Sequence, residues 1–476
     1  MSGAVEIDTR PWAGVREVMA MSWPIILGSL SYTVMDFSDK FMAGWLGEAA
    51  LAAAPAAALW SFTLSTMFLG ALGCVSTFVA QSLGKGEHAN CARYTWQGLY
   101  IALGAGAATI LFYPFAEPLF SHTKMSVEAQ HLAEGFFKIR LLGYIAMAWC
   151  TVLAAFFQAS NRSSVPMWAS LFCCIENVML GYVLMFGKFG LPMLGVNGLA
   201  IGTVISQYTQ MAILTYVFLS GESRARYQTT TAWAFNLQRM LDVLRIGIPG
   251  GLTFLFDILN WALFTTHIVG RDGNTVLAGH NAAIGMMHVA IMPAFALNNG
   301  IAAIVGQWIG RGRPDIAKSR TYVAIKIAVV YMTLIGFLNA VIGQWFIETV
   351  YKAPHEVAVV GQRFLYFAAA FEAFDALFFV TMGALRGTGD TRWTMWATII
   401  GNYCAFMPLA VLFAIFMGFG AYGGWAAATI YVMGLSFVVL QRFRGEEWRK
   451  ISIFSPRAEA EAIALPQGAE ATENAI

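Results

Sequence analysis

The chain contains 476 residues, of which 58% are hydrophobic and only 12% are charged, and its net charge is +2. Soluble domains carry about 25% charged residues, so the composition excludes a disordered chain, a water-soluble enzyme of ordinary make-up and a nucleic-acid-binding protein built on a basic patch. The mean hydropathy of +0.62 instead indicates an integral membrane protein.

The apolar stretches predict a multi-pass helical protein. The N-terminal residues up to Met21 include acids and a proline but no early apolar core, so they do not resemble a cleavable signal peptide. A helix that spans a bilayer needs about 20 mostly apolar residues. The chain has twelve such stretches: 18–43, 49–80, 94–116, 131–157, 165–187, 196–219, 241–269, 276–306, 322–347, 358–385, 393–417 and 422–441. The predicted fold class is therefore all-α with twelve transmembrane helices.

Lysine and arginine are distributed unevenly between the loops that separate these stretches. Most of the 29 basic residues lie in loops on the side that holds both termini and the long 220–240 loop. Because short cytoplasmic loops of membrane proteins are enriched in Lys and Arg, this distribution predicts that both termini face the cytoplasm.

An internal repeat divides the chain into two halves. VAQSLGKGEHANCAR (79–93) resembles VGQWIGRGRPDIAKS (305–319), and FQASNRSSVPMWAS (157–170) is a weaker partner of LRGTGDTRWTMWAT (385–398). The matched positions are Gln81, Gly84 and Gly86 with Gln307, Gly310 and Gly312, and Pro24 with Pro249. Since each half has six spans, both halves enter the membrane from the same side, and such a pair commonly encloses a cavity that opens to alternate sides. An old duplication in a channel or a membrane enzyme would leave the same pattern.

The repeat predicts two pseudo-symmetric six-helix bundles around a central cleft. The expected boundaries are a cytoplasmic N-terminal segment (1–17), an N-lobe (18–219), a cytoplasmic linker (220–240), a C-lobe (241–442) and a largely disordered cytoplasmic tail (443–476).

Acidic residues inside the predicted spans are the main functional candidates. An ionisable group at mid-bilayer costs about 2.5–3.5 kcal/mol on insertion scales, so those present require a reason. They are Asp36, Asp39, Glu176, Asp257, Glu372 and Asp375, with Asn177 beside Glu176. Asp36 with Asp39 and Glu372 with Asp375 have i,i+3 spacing, which predicts a shared helix face. Two carboxylates on one face repel, so each pair needs a proton or a cation, and carboxylates also suit an organic cation. Asp39 could instead mark an interfacial helix end, and Glu176 could serve packing.

The acids are not duplicated between the halves. By the repeat offsets, Asp257 corresponds to Tyr32 and Asp375 to Met147, so the two lobes are expected to do different jobs. A phosphate-binding GxxxxGK[ST] loop, an HExxH pair and a GxSxG elbow are all missing from the sequence. We therefore predict neither an enzyme nor an ATP-driven pump, and no cofactor beyond Na⁺ or H⁺ as a coupling ion.

Several motifs occur together in a fixed order. They are WPIILGSLSYTVMDFSDKFMAGWLG (23–47), VAQSLGKG (79–86), ENVMLGYVLMFGKFGLPMLGVNGLAIGTVIS (176–206) and MGALRGTGDTR (382–392). On these motifs the chain resembles the multidrug and toxic compound extrusion (MATE) family over almost all of residues 18–442, and within it the NorM-type bacterial branch.

The resemblance implies roles for particular residues. The carboxylate that the NorM branch places eight residues after the proline of span 7 falls on Asp257, and its span-10 aspartate falls on Asp375. The span-1 aspartate falls on Asp39 and the span-5 asparagine on Asn177. Together with Glu176 these residues are expected to couple cations, and Asp257 and Asp375 are expected to hold Na⁺ if the coupling ion is sodium.

Some positions depart from the pattern of the family. Asp257 replaces the usual Glu, Asp36, Glu176 and Glu372 are additional acids, and Met179 and Gly181 stand where a proline and a second polar residue are usual. Asp36, Glu372 and Asp375 are expected to contact the substrate.

The resemblance also implies a function. The expected protein is a monomeric secondary antiporter of the bacterial inner membrane. It would export organic cations or amphipathic drugs in exchange for Na⁺ or H⁺, in contact with lipid and without nucleic acid. The alternative is a flippase for lipid-linked precursors, which shares the broader architecture.

Overall fold

The structure, a computed structural model, describes residues 14–121, 123 and 125–455, and this part of the chain consists of helices and short connections without β-strands. Twelve helices are long. The N-lobe contains α1 (Val15–Gly44), α2 (Glu48–Gly84), α3 (His88–Ile110), α4 (Val127–Ala159), α5 (Ser164–Phe186) and α6 (Val196–Leu219). The C-lobe contains α7 (Leu237–Asp272), α8 (Asn274–Gly310), α9 (Pro314–Thr349), α10 (His355–Thr388), α11 (Thr391–Phe416) and α12 (Gly420–Arg444).

Each of the twelve predicted stretches coincides with one of these helices. Within the described residues, eleven helices are long and apolar enough to cross a membrane. The remaining one, α6, has 24 residues and carries the buried polar side chains Gln207 and Gln210. The prediction of an all-α integral membrane fold is therefore confirmed.

Local sequence signals set several helix ends. Ser126 precedes α4, and its hydroxyl accepts a hydrogen bond from the Ala129 amide at 3.2 Å. Asn236 precedes α7 in the same way and accepts from the Arg239 amide at 3.0 Å. These residues satisfy amide groups that the first turn of a helix leaves unpaired. Gly187 follows α5 with a φ of +66°, a left-handed conformation that glycine adopts readily.

The two lobes contact each other at the end of the bundle where α1 begins. Small residues bring α2 and α7 into backbone contact, because a Cβ on Gly251 would lie 2.1 Å from the carbonyl oxygen of Met67. An ion pair joins α1 to α9 at the same end, with Arg320 Nε 2.7 Å from Glu17 Oε2. The cleft between the lobes is therefore closed at this end.

The repeated sequence motif forms the central part of this closure. Gln81 of α2 donates to the carbonyl oxygen of Gly387 at 3.0 Å, and Gln307 of α8 donates to that of Ala159 at 2.8 Å. Each bond crosses from one lobe to the other, and the two are related by the sequence repeat. We call Gln81, Gly84, Gln307 and Gly310 the repeat lock.

The glycines of the repeat lock are required by close approach. A Cβ on Gly84 would lie 2.2 Å from the Gln307 carbonyl oxygen, and a Cβ on Gly310 would lie 2.2 Å from that of Gln81. The third glycine of each motif follows the helix end in a left-handed conformation, with φ of +81° at residue 86 and +70° at residue 312. The repeat found in the sequence is thus a reciprocal contact between the lobes.

The linker between the lobes is packed against α3. It contains a short helix, Gly221–Tyr227, and ends where α7 begins at Leu237. Trp96 Nε1 donates to the Thr229 carbonyl oxygen at 2.8 Å. Further short helices lie at Tyr113–Phe115, Ala116–Ser121, Lys188–Gly190 and Glu447–Lys450.

The first part of the predicted tail, up to Ser455, packs against the rest of the chain. Trp448 is buried, and the Phe454 ring packs on Phe78 and Tyr94 of the N-lobe with centroid distances of 6.0 and 5.7 Å. These aromatic residues bury apolar surface that a disordered tail would expose. Residues 456–476 and residues 1–13 of the predicted N-terminal segment lie outside the described part of the chain.

Candidate functional site

The C-lobe brings together two of the predicted acids. Asp257 of α7 and Asp375 of α10 are partly buried and lie within electrostatic range of one another. The amide of Asn402 on α11 faces Asp257, and the hydroxyl of Tyr431 on α12 faces both carboxylates. Four helices therefore contribute to one polar group, which we call the C-lobe cluster (Asp257, Asp375, Asn402 and Tyr431).

The orientation of Asn402 is fixed by two hydrogen bonds. Its Oδ1 accepts from Asn260 Nδ2 at 3.3 Å and from the Tyr431 hydroxyl. The buried Nδ2 consequently points away from these donors and has no hydrogen-bond partner of normal geometry in the described part of the chain. It can donate to a carboxylate at Asp257.

A local change in helix geometry carries Asn402. The segment Gly401–Phe406 has the wider turns of a π-helix, as do Phe264–Ile268 in α7 and Leu412–Phe416 in α11. A π-helical turn shifts the register of the side chains that follow it, and such segments are frequent at functional sites.

All the ionisable groups that surround the C-lobe cluster in the described chain are acids. Among the described residues, the ionisable groups that face Asp257 and Asp375 are Glu372, Tyr403 and Tyr431. Two carboxylates without a basic partner repel each other strongly in a medium of low dielectric constant. The cluster can therefore accept a proton or a cation, and its oxygens are hard ligands of the kind that alkali and alkaline-earth ions favour.

The N-lobe holds a second cluster with a different charge. Asp39 Oδ2 lies 3.1 Å from the hydroxyl of Thr203, which accepts from Asn177 Nδ2 at 3.0 Å. Arg140 of α4 faces Asp39 electrostatically. The N-lobe cluster (Asp39, Asn177, Thr203 and Arg140) therefore contains its own cation.

Three atoms of the N-lobe cluster are buried without a hydrogen-bond partner in the described chain. They are Asp39 Oδ1, Asn177 Oδ1 and Arg140 Nε. Buried polar atoms are usually paired, so this cluster has unused capacity to bind a proton, an ion, water or a polar ligand group.

Glu176 does not join the N-lobe cluster. Its Oε1 accepts from the Thr209 hydroxyl at 3.0 Å. Neighbouring residues on an α-helix point about 100° apart, so Glu176 and Asn177 reach different places.

Asp36 and Asp39 have different partners in the structure, although their spacing predicts a shared helix face. Asp36 is 58% exposed and its Oδ2 lies 2.6 Å from Lys40 Nζ. The i,i+4 spacing permits this ion pair, which draws Asp36 away from Asp39. On α8, His288 faces the Asp36–Lys40 pair.

Glu372 is also separated from its predicted partner. It is completely buried and faces Gly336 of α9, whereas Asp375, one turn later, faces Asp257. The expected contact of Glu372 with a substrate in the cleft is therefore not supported by its position.

Sequence reasoning missed four members of the two clusters: Asn402, Tyr431, Thr203 and Arg140. Asn402 and Arg140 could have been found from the sequence, because each is a strongly polar residue within a long apolar helix. Thr203 and Tyr431 could not, since such residues are common in membrane helices and only the packing reveals their partners.

In the described part of the chain, no group of three or more His, Cys, Asp and Glu side chains is arranged to hold a metal ion.

Comparisons with known proteins agree with this architecture. The chain is 29% identical over 443 residues to the probable multidrug resistance protein NorM of Burkholderia pseudomallei, covering 92% of this chain and 93% of that protein. It is 29% identical over 462 residues to the protein of the same name from Pseudomonas aeruginosa, covering 95% and 93%. These relatives are named as multidrug resistance proteins and not as enzymes.

Solved structures share the fold at lower identity. An outward-facing multidrug resistance MATE family transporter superposes with a TM-score of 0.83 at 18% identity, covering 93% of this chain and 97% of that one. A MOP superfamily transporter from Pyrococcus furiosus superposes with a TM-score of 0.82 at 19% identity, with the same coverage. The MatE family model matches residues 24–183 and 256–412, one long segment in each lobe and more than half of the sequence. The chain therefore belongs to the MatE family of membrane transporters.

Proposed function

We propose that this chain is a secondary active antiporter that exports organic cations or amphipathic drugs in exchange for Na⁺ or H⁺. The observation that carries the proposal is the C-lobe cluster, in which two partly buried carboxylates face each other and the groups recorded around them are acidic or neutral. Such a site attracts either an inorganic cation or an organic one. The names of the curated relatives favour drugs as the exported compounds.

Exchange follows from competition for the same charge. A proton or Na⁺ bound between Asp257 and Asp375 neutralises the carboxylates, which weakens their attraction for a cationic substrate. Conversely, a bound substrate lowers the affinity for the coupling ion, because coupling between two ligands is reciprocal. If the ion is sodium, the carboxylates and the Tyr431 oxygen supply the ligands. If it is a proton, one carboxylate suffices.

The N-lobe cluster has a different role in this proposal. Arg140 already supplies a positive charge beside Asp39, so a second cation is bound less readily there than in the C-lobe. We assign Asp39 and Asn177, with Thr203 between them, to a proton-dependent step that responds to the approach of the lobes. Glu176, on the other side of α5, supports α6 through Thr209.

The substrate would contact acidic and aromatic groups along the cleft. Asp375 provides a negative charge in the C-lobe. Asp36, which a substrate cation would have to take from Lys40, lies on α1 together with the exposed side chains of Phe37 and Tyr32. Aromatic faces beside carboxylates suit flat organic cations.

The closed end of the bundle identifies which state of the transport cycle the structure represents. We place the repeat lock at the cytoplasmic side, because most basic residues of short loops lie at that end of the bundle. The structure then represents a state closed to the cytoplasm. A monomer of two lobes in the inner membrane is sufficient for this mechanism.

Transport of a fluorescent dye in everted membrane vesicles that lack native pumps tests the proposal. A Na⁺ gradient at clamped pH and a pH gradient without Na⁺ are imposed separately. Export with one gradient identifies the coupling ion, and the Asp257→Asn and Asp375→Asn variants should abolish its effect. Asp315→Asn is the matched control, because that exposed carboxylate pairs with Arg313 outside both clusters. The proposal is wrong if both Asn variants keep export and its ion dependence.

Transport with neither gradient would instead favour the flippase alternative. That alternative is tested with purified protein and lipid-linked cargo. The acidic character of the C-lobe cluster argues against it, because such cargo carries phosphate groups that two carboxylates would repel.

A further inference from the structure

Residues 445–455, which follow α12, pass from the C-lobe to the N-lobe at the closed end of the cleft. The first contacts of this segment are with the C-lobe. Trp448 is 1% exposed and stacks on Phe443 of α12 at a centroid distance of 5.4 Å. Glu446 Oε1 lies 2.5 Å from Lys318 Nζ of α9. Packing and charge therefore hold the segment to the C-lobe, in addition to the chain itself.

Ile453 continues the attachment to the C-lobe. Its side chain is buried in the space that a glycine leaves after α10, since a Cβ on Gly389 would lie 2.2 Å from Ile453 Cγ2. Arg442 Nε of α12 lies 2.9 Å from Oδ2 of Asp390, the residue after this glycine. This ion pair joins α12 to the same end of α10, so the C-lobe provides a fixed surface for the segment.

Phe454 contacts the N-lobe. Its ring is 9% exposed and lies edge-to-face against Phe78 of α2 and Tyr94 of α3. Phe78 and Tyr94 stack on each other with a centroid distance of 4.7 Å, and we call this pair the N-lobe socket. Aromatic pairs with such geometries stabilise a contact beyond the apolar area that they bury. A side chain attached to the C-lobe therefore occupies a socket of the N-lobe.

Asp242 of α7 connects the segment with both lobes. Ser455 Oγ donates to Asp242 Oδ2 at 3.2 Å, and the hydroxyl of Tyr94 donates to the same oxygen at 3.4 Å. Asp242 is a buried residue of the C-lobe, and Tyr94 belongs to the N-lobe socket. One carboxylate thus accepts from the N-lobe and from the end of the segment, so the segment ends where the two lobes meet.

We propose that residues 445–455 form a latch that holds the closed end of the cleft shut. Opening at this end requires Phe454 to leave the N-lobe socket. The antiport mechanism described above requires the lobes to separate here and makes no use of this segment. The role of the latch therefore rests on the proposed function, whereas the contacts that form it do not.

The latch favours the closed state because the segment cannot follow both lobes when they separate. Trp448 and Ile453 are buried against the C-lobe, so the contacts that break are those of Phe454 with the N-lobe socket. The ring then returns to water, which is unfavourable for an apolar surface. This cost falls only on the open state, so the latch shifts the equilibrium between the two states. It restrains entry of substrate from this side without contacting the substrate.

Pulsed electron paramagnetic resonance measures this equilibrium on the full chain without a substrate. Spin labels are attached through Ser164→Cys and Ser319→Cys, which are exposed positions of α5 and α9 at the closed end. Cys174 and Cys404, the two cysteines that are not buried, are replaced by serine. Because α5 belongs to the N-lobe and α9 to the C-lobe, the distance between the labels increases when the lobes separate.

Removing the Phe454 ring should favour the open state. We expect Phe454→Ala to raise the ratio of the long-distance to the short-distance population about 10-fold or more. Phe189→Ala is the matched control, because that ring is 92% exposed and follows α5 at the other end of the bundle. Identical distance distributions for Phe454→Ala, Phe189→Ala and the native protein overturn the proposal. If Phe454→Ala does not fold, Phe454→Leu should give a smaller shift in the same direction, and no shift overturns it equally.

A reversible crosslink separates this inference from the proposed function. Phe454→Cys and Tyr94→Cys are joined by a short bis-methanethiosulfonate reagent, and ethidium export is measured in everted vesicles. Export should fall to background in the crosslinked protein and return after reduction, whereas Phe454→Cys alone should be insensitive to the reagent. Undiminished export by the crosslinked protein overturns the latch and leaves the antiport function standing. If the native protein exports no ethidium but Phe454→Ala shifts the distances, the latch stands and the substrate assignment falls.

Discussion

Adding one methyl group to the repeat lock should open the closed end of the cleft. In Gly84→Ala the new Cβ would lie 2.2 Å from the Gln307 carbonyl oxygen and 2.9 Å from Gly310 Cα. Both of these atoms belong to the backbone and cannot rotate away. Because ordinary contacts begin at 3.4 Å, α2 and α8 must separate by about 1 Å to relieve the clash.

The size of the effect follows from packing energetics. Inserting a methyl group into a well-packed contact costs about 1–3 kcal/mol. Here the cost falls only on the state in which the lobes touch at this end, so it changes the equilibrium between states and not the stability of each lobe. A free energy of about 1–3 kcal/mol corresponds to a change of about 5- to 150-fold in the population ratio. Separation also lengthens the two Gln hydrogen bonds, which adds to the shift.

Pulsed electron paramagnetic resonance measures this ratio. Spin labels at Lys85 and Arg311 report the distance across the closed end, since one lies on each side of the contact. Gly84→Ala should increase the population at longer distances. Gly73→Ala is the matched control, because a Cβ there has no atom within 4 Å. Identical distance distributions for Gly84→Ala, Gly73→Ala and the native protein would refute the reasoning.

Three further predictions concern charge. Asp257→Asn and Asp375→Asn should each reduce ion-driven dye export about 10-fold or more, since about 1.4 kcal/mol of lost ion affinity already gives that factor; unchanged initial rates in vesicles would contradict this. Glu17→Gln removes the ion pair between α1 and α9 at the closed end and should favour the open form in the same spin-label assay. The expected shift is about 1–3 kcal/mol, between the values for exposed and buried pairs, because the side chains of Arg320 and Glu17 are 10% and 34% exposed. A shift toward the closed form would contradict this prediction. The hydrogen bond from Lys318 lowers the pKa of Glu446, so this pair should stabilise the docked residues 445–455 at neutral pH and lose that effect as the pH falls through the lowered pKa. The Glu446→Gln variant should not show this pH dependence. If limited proteolysis of the segment gives the same pH profile for both proteins, the pair is excluded as the cause.

The number and order of the helices could be predicted because the membrane imposes length and composition on each span. The twelve predicted stretches match the twelve long helices, although the helices extend beyond the apolar stretches by several residues. The packing of the segment that follows position 443 could not be predicted from the sequence. The sequence after it lacks an apolar run, but Trp448 and Phe454 are buried individually by contacts with other segments.

The candidate acids could be found from the sequence, whereas their grouping could not. Helical spacing correctly relates neighbours along one helix, but it does not specify which neighbouring helix each side chain faces. Asp36 pairs with Lys40, and Glu372 faces Gly336, because a turn of 3.6 residues leaves i and i+3 about 60° apart. This angle is enough to direct the two carboxylates of each predicted pair toward different neighbours.

The repeat lock has the geometry of an isologous interface. A glutamine donates to a backbone carbonyl oxygen of the other half twice, from Gln81 to Gly387 and from Gln307 to Ala159, as in a two-fold symmetric homodimer. Each half supplies one glutamine donor and one backbone carbonyl acceptor to this interface. The two halves are accordingly alike in sequence where they meet, whereas the acids inside the two lobes differ.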